Sequence, residues 1–356
     1  MKRFRKLLVV LTTLLVVQST TIESVAQTDS LATKNMEETP SWFKYLPTVK
    51  GTFRAKYEWS PELGASRFQL RNARIGLLGD ILENISYKVE VDFCDEGTIR
   101  VADAYTKLSF VEKQFGVTAG FMRLPISMDG NRGPSTQYFA NRSFIGKYVG
   151  NVRDVGVKLG YYPTKVPFTA EIGMYNGKED EYTDCQWNKT LSYVGRINYI
   201  FFNGLKFEIS AISQRPDRVR MNSFDFALSW NYDRFYLEGE YINRHYTNSK
   251  FKTVHAYNIM GHYRIPFRKI LTHMLIQARW DSMTDYSDGR VFNSNGMLEC
   301  TNPGRNRITA GVTFAYLKKI GAEFRINYEK YFYHDDNVIM NDNETDKLVA
   351  ELVVKF

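Results

Sequence analysis

The feature that most constrains the fold is an alternation of apolar and polar residues, which begins at Val49 and recurs to the end of the chain. In VKGTFRAKY, residues 49–57, valine, phenylalanine and tyrosine share one face, and lysines, threonine and arginine share the other. This period of two indicates a β-strand with one apolar face. Because charged residues recur on the second face, that face must contact water.

The alternation is found in sixteen segments, each close to the ~9–11 residues that a tilted membrane-spanning strand needs. Their predicted limits are 49–58, 67–79, 85–93, 101–110, 114–122, 153–162, 167–176, 190–200, 205–213, 223–232, 234–243, 253–264, 273–282, 306–316, 319–331 and 346–356. In the second segment the phase slips near Arg71-Asn72, which predicts a β-bulge.

The connections between these segments are short at one end of the predicted strands and longer at the other end. Those after even-numbered segments are mostly short, whereas 123–152, 177–189, 283–305 and 332–345 follow odd-numbered segments. Outer-membrane barrels have an even number of strands, short periplasmic turns and longer extracellular loops. A soluble sandwich has no reason to sort its loops and needs a second sheet over its apolar face. We therefore predict an all-β fold, a transmembrane antiparallel β-barrel of about 16 strands over residues 49–356.

The N-terminal residues 1–26 predict a signal peptide. Four basic residues precede an apolar stretch over 7–17, and Ser24-Val25-Ala26 provides a small-residue cleavage site after Ala26. The alternative, a membrane anchor, needs an apolar run of ~20 residues, which is longer than this one. A polar linker over 27–48 then leads into the barrel. The predicted location is the cell outer membrane, in contact with outer-membrane lipid.

The C-terminal segment DKLVAELVVKF also alternates and ends on Phe356. A last strand must close the barrel, because an open sheet edge in lipid leaves backbone groups unpaired. The segment resembles the C-terminal assembly signal of bacterial outer-membrane proteins, which implies that the outer-membrane assembly machinery recognises Phe356. The three cysteines, Cys94, Cys185 and Cys300, are odd in number and far apart, and they predict no disulfide framework.

Sixteen strands enclose an aqueous channel, so the predicted function is passive diffusion of small hydrophilic solutes. The 123–152 loop is a candidate constriction loop, since the loop after the fifth strand folds into the barrel in many porins. It holds four basic residues against the single acid Asp129: Arg123, Arg132, Arg142 and Lys147. Rings of cations favour anions, and arginine matches phosphate geometry. The alternative is a basic surface loop that contacts anionic lipid headgroups.

Basic residues on the predicted lumen face extend this set. Many of them are expected to pair across the wall with inward acids such as Glu90 and Asp103, whereas the loop arginines have few acidic neighbours in sequence. The predicted anion-binding residues are Arg54, Arg71, Arg74, Lys88, Arg123, Arg132, Arg142, Lys147 and Arg153. The expected partners are small anions such as phosphate.

Three stretches resemble the phosphate-selective porin O and P family. They are an arginine-rich second strand with a glycine turn, RFQLRNARIGLLGDILENISYKVEVDF; the segment GFMRLPISMD; and an Arg-Asp-x-Gly entry to the sixth strand, NRSFIGKYVGNVRDVGVKLGY. The resemblance covers residues 49–162 by motif. It implies a sixteen-stranded barrel, a homotrimer and anion conductance through an arginine-lined constriction. A continuous arginine ladder and a periplasmic lysine cluster are not matched residue by residue.

Two other functions compete with this prediction. A general or carbohydrate-type porin without phosphate selectivity would use lumen aromatic residues, for which Tyr105, Tyr175 and Tyr236 are available. An outer-membrane β-barrel enzyme is disfavoured, because the five histidines lie in no hydrolase or metalloprotease motif. The acidic 334–346 loop lacks the spacing of a calcium site. We therefore predict no catalytic residues, no cofactor, no metal and no nucleic-acid partner.

Overall fold

A computed structural model of the chain describes residues 45–95, 97–177, 187, 190–201, 204–267, 269–317, 321–335 and 341–356. The predicted signal peptide, residues 27–44 of the predicted linker, and Cys185 lie outside these residues. In the described part of the chain, no helix has the length and apolar character needed to cross a membrane.

Sixteen antiparallel strands form a closed barrel in which each strand pairs with its neighbours along the chain. In chain order, β1 to β16 are Thr48–Ser60, Ala65–Leu82, Ile85–Asp95, Thr98–Phe110, Phe115–Arg123, Arg153–Tyr161, Phe168–Tyr175, Ser192–Ile200, Leu205–Gln214, Met221–Tyr232, Phe235–Tyr246, Val254–Pro266, His273–Met283, Arg305–Leu317, Gly321–Tyr333 and Lys347–Lys355. The prediction of an antiparallel barrel of about 16 strands is confirmed.

The barrel closes between β1 and β16, with Thr52 opposite Lys355 and Trp59 opposite Leu348. The backbone N–H of Gly51 donates to the carbonyl oxygen of Phe356 at 2.9 Å. A Cβ on Gly51 would lie 2.1 Å from the Phe356 ring, so only glycine fits beneath it. The last residue of the chain is therefore part of the closing ladder.

The predicted bulge in β2 is also confirmed. Arg54 pairs with Asn72 and Ala55 pairs with Leu70, which leaves Arg71 as the extra residue. Because a bulge shifts the side-chain alternation by one residue, both Arg71 and Arg74 face the lumen.

Burial is inverted relative to a soluble protein. Outward residues such as Phe53, Ile172 and Leu352 are exposed, whereas inward charged residues such as Arg325 and Glu351 are almost fully buried. This is the arrangement of a barrel with lipid outside and a polar interior.

The interior is not polar throughout. Apolar residues of the 124–152 loop, among them Leu124, Ile126 and Phe144, form a core with inward apolar residues of β8 to β13, including Ile212 and Ile242. Burial of apolar surface stabilises such a contact by roughly 25 cal/mol per Å². The part of the barrel interior beside β8 to β13 is therefore filled by this loop.

Candidate functional site

The loop between β5 and β6, residues 124–152, lies inside the barrel, and Glu240 on β11 is its first anchor. Glu240 accepts hydrogen bonds from the Ser127 hydroxyl at 2.6 Å, the Met128 N–H at 2.7 Å and the Asp129 N–H at 3.1 Å. Three donors on one carboxylate fix the backbone at the start of the loop, because a buried N–H without a partner is costly.

Arg132 forms the second anchor. Its guanidinium donates to Glu238 on β11 at 2.8 Å and to Asp129 at 3.1 Å. Burial alone would raise the pKa of Asp129, but Arg132 and Arg142 hold it below its usual range. Arg132 is thus an anchoring residue, and it lines neither of the two chambers described below.

The second half of the loop is bound by β13, β14 and the closing strands. The Phe144 N–H donates to Asp281 at 3.0 Å, and Arg307 donates to the Arg142 carbonyl at 2.6 Å. Arg54 on β1 donates to Gln137 at 2.6 Å and to Glu351 at 2.8 Å. The loop is therefore fixed from β11 around to β1. Open space remains beside β1 to β6 and, on the side of the long loops, beside β14 to β16.

A chamber of about 380 Å³ lies on the side of the long loops. Its charged lining consists of seven basic side chains and two acidic ones: Lys56, Arg67, Arg71, Arg142, Lys147, Arg307 and Lys347, with Glu58 and Glu344. We call it the long-loop chamber.

A second chamber, of about 540 Å³, lies on the side of the short turns. Its charged lining also consists of seven basic side chains and two acidic ones: Lys50, Arg74, Lys88, Lys107, Arg123, Arg153 and Lys158, with Glu90 and Asp103. We call it the short-turn chamber. The loop contributes residues 131 and 133–136 to this lining, so loop residues line both chambers.

Arg123 and Arg153 are opposite each other in the β5–β6 ladder. Like charges at directly paired positions repel. The Arg123 guanidinium donates to the Asn131 carbonyl at 2.7 Å, and within the described residues no carboxylate forms an ion pair with it. Arg153 lies 3.5 Å from Asp103, and the Nε atoms of both arginines are buried without a hydrogen-bond acceptor in the described structure. One donor on each of the two guanidinium groups therefore has no acceptor in the described structure.

Arg142 is a loop residue whose side chain lines the long-loop chamber. It donates only to backbone carbonyls, of Asp129 at 3.2 Å and Arg132 at 2.7 Å, in the part of the chain that the structure describes. Burial lowers its pKa to about 9; Asp129 opposes the shift, and the charges of Arg153 and Arg54 add to it. The guanidinium thus keeps its charge at neutral pH and lacks a carboxylate partner.

The nine predicted residues fall into three groups. Arg71, Arg142 and Lys147 line the long-loop chamber. Arg74, Lys88, Arg123 and Arg153 line the short-turn chamber. Arg54 and Arg132 are buried between loop and wall. The strand bases pair with acids as expected, with Arg74 2.9 Å from Glu90 and Lys88 also bound to Asp103.

Two of the loop bases have acidic partners that lie far away in sequence. Arg132 pairs with Glu238, and Lys147 lies 2.8 Å from Glu344 in the β15–β16 loop. Both acids are about 100 or 200 residues away in sequence, so no local pattern pointed to them.

The predicted set omitted seven chamber bases: Lys50, Lys56, Arg67, Lys107, Lys158, Arg307 and Lys347. Arg67 is separated from Arg71, and Lys347 from Glu351, by an even number of residues along one strand. The alternation therefore already placed both bases on the lumen face. No group of three or more His, Cys, Asp or Glu side chains in the described residues is arranged to hold a metal ion.

Comparison with known proteins is consistent with this geometry. The family described as phosphate-selective porin O and P matches residues 61–224, which confirms the family resemblance inferred from the motifs. A comparison with curated protein sequences finds no match.

Three solved structures illustrate the fold. OmpF of Salmonella typhi, in complex with daunomycin, is 14% identical with a TM-score of 0.61, over 88% of this chain and 98% of that one. An anion-selective porin from Comamonas acidovorans is 13% identical with a TM-score of 0.58, over 87% and 98%. OmpT of Vibrio cholerae, in a trimer form, is 10% identical with a TM-score of 0.56, over 87% and 99%. At these identities the similarity concerns the fold, and together with the family match it supports an outer-membrane porin channel.

Proposed function

We propose that this chain is an outer-membrane porin that passes small hydrophilic solutes by diffusion and prefers anions of the phosphate type. The observation that carries the proposal is the lining of the two chambers, in each of which seven basic side chains face two acidic ones. A pore lined by one sign of charge raises the local concentration of ions of the opposite sign.

Arg123, Arg142 and Arg153 are the residues to which we assign anion recognition. Their guanidinium groups are wholly or partly buried and have few or no carboxylate partners in the described residues, so they are free to donate to a passing oxyanion. Guanidinium donors and oxyanions form short, charge-assisted hydrogen bonds. Four further bases make the electrostatic potential along the two chambers more positive: Arg71, Arg74, Lys88 and Lys147. The two buried arginines, Arg54 and Arg132, hold the loop in place.

A carbohydrate path along lumen aromatic residues receives less support. Tyr175 is fully buried, and Tyr236 donates to Glu238 at 2.5 Å and stacks on His262. Tyr105 is the member of this set that lines a chamber. We assign no catalytic activity to the chain.

The same proposal places the mature protein in the outer membrane after cleavage behind Ala26, with the outer-membrane assembly machinery recognising Phe356. The channel is proposed to be a homotrimer. The similar structures include a trimer form of OmpT from Vibrio cholerae and an anion-selective porin from Comamonas acidovorans. The similarity to an anion-selective porin and the basic lining of the two chambers both support the proposed preference for anions.

The experiment is a phosphate titration of the chloride current through the purified protein in planar bilayers. We expect phosphate to reduce the current, and we expect the double variant Arg123→Gln, Arg153→Gln to need about tenfold more phosphate for half block, because roughly 1.4 kcal/mol of binding is lost. The matched control is Arg264→Gln, an exposed lumen-rim arginine on β12. A wild-type current that phosphate leaves unchanged would contradict the phosphate-type preference.

A further inference from the structure

The short-turn chamber is much larger than inorganic phosphate. Its volume of about 540 Å³ lies in the range of pockets that hold small organic ligands, roughly 300–1,000 Å³. An ion of five heavy atoms bound at Arg123 and Arg153 would leave most of this space to water.

The chamber that holds the two arginines also has a few apolar lining side chains among its charged ones. Tyr105 lies on β4; it is half-buried, it packs partly against the apolar core, and in the described structure its side chain forms no hydrogen bond. Leu78, Met122 and Pro134 line the same chamber. The Tyr162 ring is less available, since the Lys107 ammonium lies 4.4 Å from its centroid.

Hydroxyl groups complete the lining. Thr52, Thr118 and Ser135 face the chamber, and within the described residues none of the three has a side-chain hydrogen bond. A ring face, apolar side chains and available hydroxyls are the contacts that a sugar uses, with its C–H face on the aromatic ring and its hydroxyls on the polar groups.

We propose that the short-turn chamber is a binding subsite for phosphate monoesters of small sugars. The phosphoryl group lies between Arg123 and Arg153, and the sugar lies against Tyr105 with its hydroxyls toward Thr52, Thr118 and Ser135. This inference rests on the proposed anion preference of the channel. It adds that the solute has an organic part, which contacts Tyr105. A site for orthophosphate alone would not need Tyr105.

The test compares glucose 6-phosphate, orthophosphate and glucose as blockers of the chloride current in planar bilayers at pH 8. At this pH both phosphates are largely dianions, because the second pKa of a phosphate ester is about 6. We expect glucose 6-phosphate to half-block at a concentration about three- to tenfold below that of orthophosphate, and glucose to block weakly.

The variant is Tyr105→Leu, with Tyr193→Leu as the matched control on the lipid-facing side of β8. We expect Tyr105→Leu to remove the advantage of the sugar ester while leaving block by orthophosphate unchanged, and Tyr193→Leu to behave as wild type. An advantage that survives in Tyr105→Leu overturns the assigned site.

The remaining outcomes separate the two proposals. If orthophosphate blocks and glucose 6-phosphate blocks no better, the sugar-ester subsite is wrong and the anion preference stands. If neither anion blocks, both proposals fail. If glucose blocks as well as its phosphate, the arginines have no part in recognition. These cases are decided by the three blockers on the wild-type channel alone. The inference can therefore be refuted even if a variant fails to fold.

Discussion

Two parts of the barrel interior carry similar residues but use them differently. The inward side of β2 to β6, which we call the open wall, faces the short-turn chamber with Arg74, Lys88, Arg123 and Arg153. The inward side of β10 to β15, the anchoring wall, is also rich in charges, but its Glu240, Asp281 and Arg307 bind the 124–152 loop.

This difference shows that the role of a lumen charge depends on its partners. On the anchoring wall, Glu240, Asp281 and Arg307 bind loop backbone groups, so their main contribution is to stability, although Arg307 also lines the long-loop chamber. On the open wall, the charge excess is turned toward water. Identical residue types at equivalent strand positions are therefore expected to give opposite phenotypes when substituted.

The largest effect is expected from loss of the main anchor in Glu240→Ala. Three loop donors then lose their acceptor, at about 1–3 kcal/mol each, so the loop is expected to leave its docked position. Single-channel recordings are expected to show a conductance at least twofold larger and noisier, with reduced anion preference. Glu299→Ala, at an exposed loop position, is the control; unchanged conductance in Glu240→Ala would show that the loop is held by other contacts.

Arg325→Gln separates stability from selectivity. Arg325 on β15 pairs with Glu351 at 3.0 Å and with Glu323, and all three residues lie inside the barrel. Removing one partner of a buried ion pair costs about 3–5 kcal/mol. We expect a correspondingly lower free energy of unfolding in urea from lipid vesicles. The zero-current potential of the folded channel should equal that of wild type; a changed potential with intact stability would place Arg325 among the selectivity residues.

Arg142→Gln is expected to have a smaller effect, on selectivity alone. The loss of one positive charge that has no carboxylate ion pair in the described residues is worth roughly 1 kcal/mol, which corresponds to a roughly fivefold lower chloride-to-potassium permeability ratio. Zero-current potentials under a KCl gradient measure this ratio. Arg234→Gln, in an exposed turn between β10 and β11, serves as the control. Equal ratios in wild type and Arg142→Gln would remove Arg142 from the proposed path.

The smallest effect concerns the contact between the two loops. Burial alone would raise the pKa of Glu344, but Lys147 and Arg305 lower it below its ordinary value of 4.5. A lowered carboxyl pKa means that the stabilisation is complete above pH 4.5 and is lost as pH falls through the folded-state pKa. Current noise that depends on Glu344 should therefore stay constant from pH 7 to pH 4.5 and rise below it. Glu344→Gln should show no such rise; an identical pH profile in the variant would exclude this contact as the cause.

The fold could be predicted from the sequence because each strand has its own local pattern of apolar and polar residues. Alternation at a period of two marks the sixteen strands, the phase slip at Arg71 marks the bulge, and the apolar row ending on Phe356 marks the closing strand. These are local patterns, and a strand that follows them pairs with the next strand in the chain.

The site was accessible only in part. The basic character of the 123–152 loop is a local feature, but its docking depends on contacts such as Ser127 with Glu240, which are 113 residues apart. The pairing of Arg132 and Lys147 with distant acids follows from that docking. The apolar inward residues Ile212 and Ile242, which the loop covers, interrupt the polar lumen face and were the available signal.

Anion preference is tested most directly by the zero-current potential of the wild-type channel in a planar bilayer under a KCl gradient. Two chambers with a basic excess predict a potential of the sign that chloride permeation gives, with a chloride-to-potassium permeability ratio above one. A potential of the opposite sign would mean that the inward acids dominate the path, and it would contradict the role assigned to the open wall.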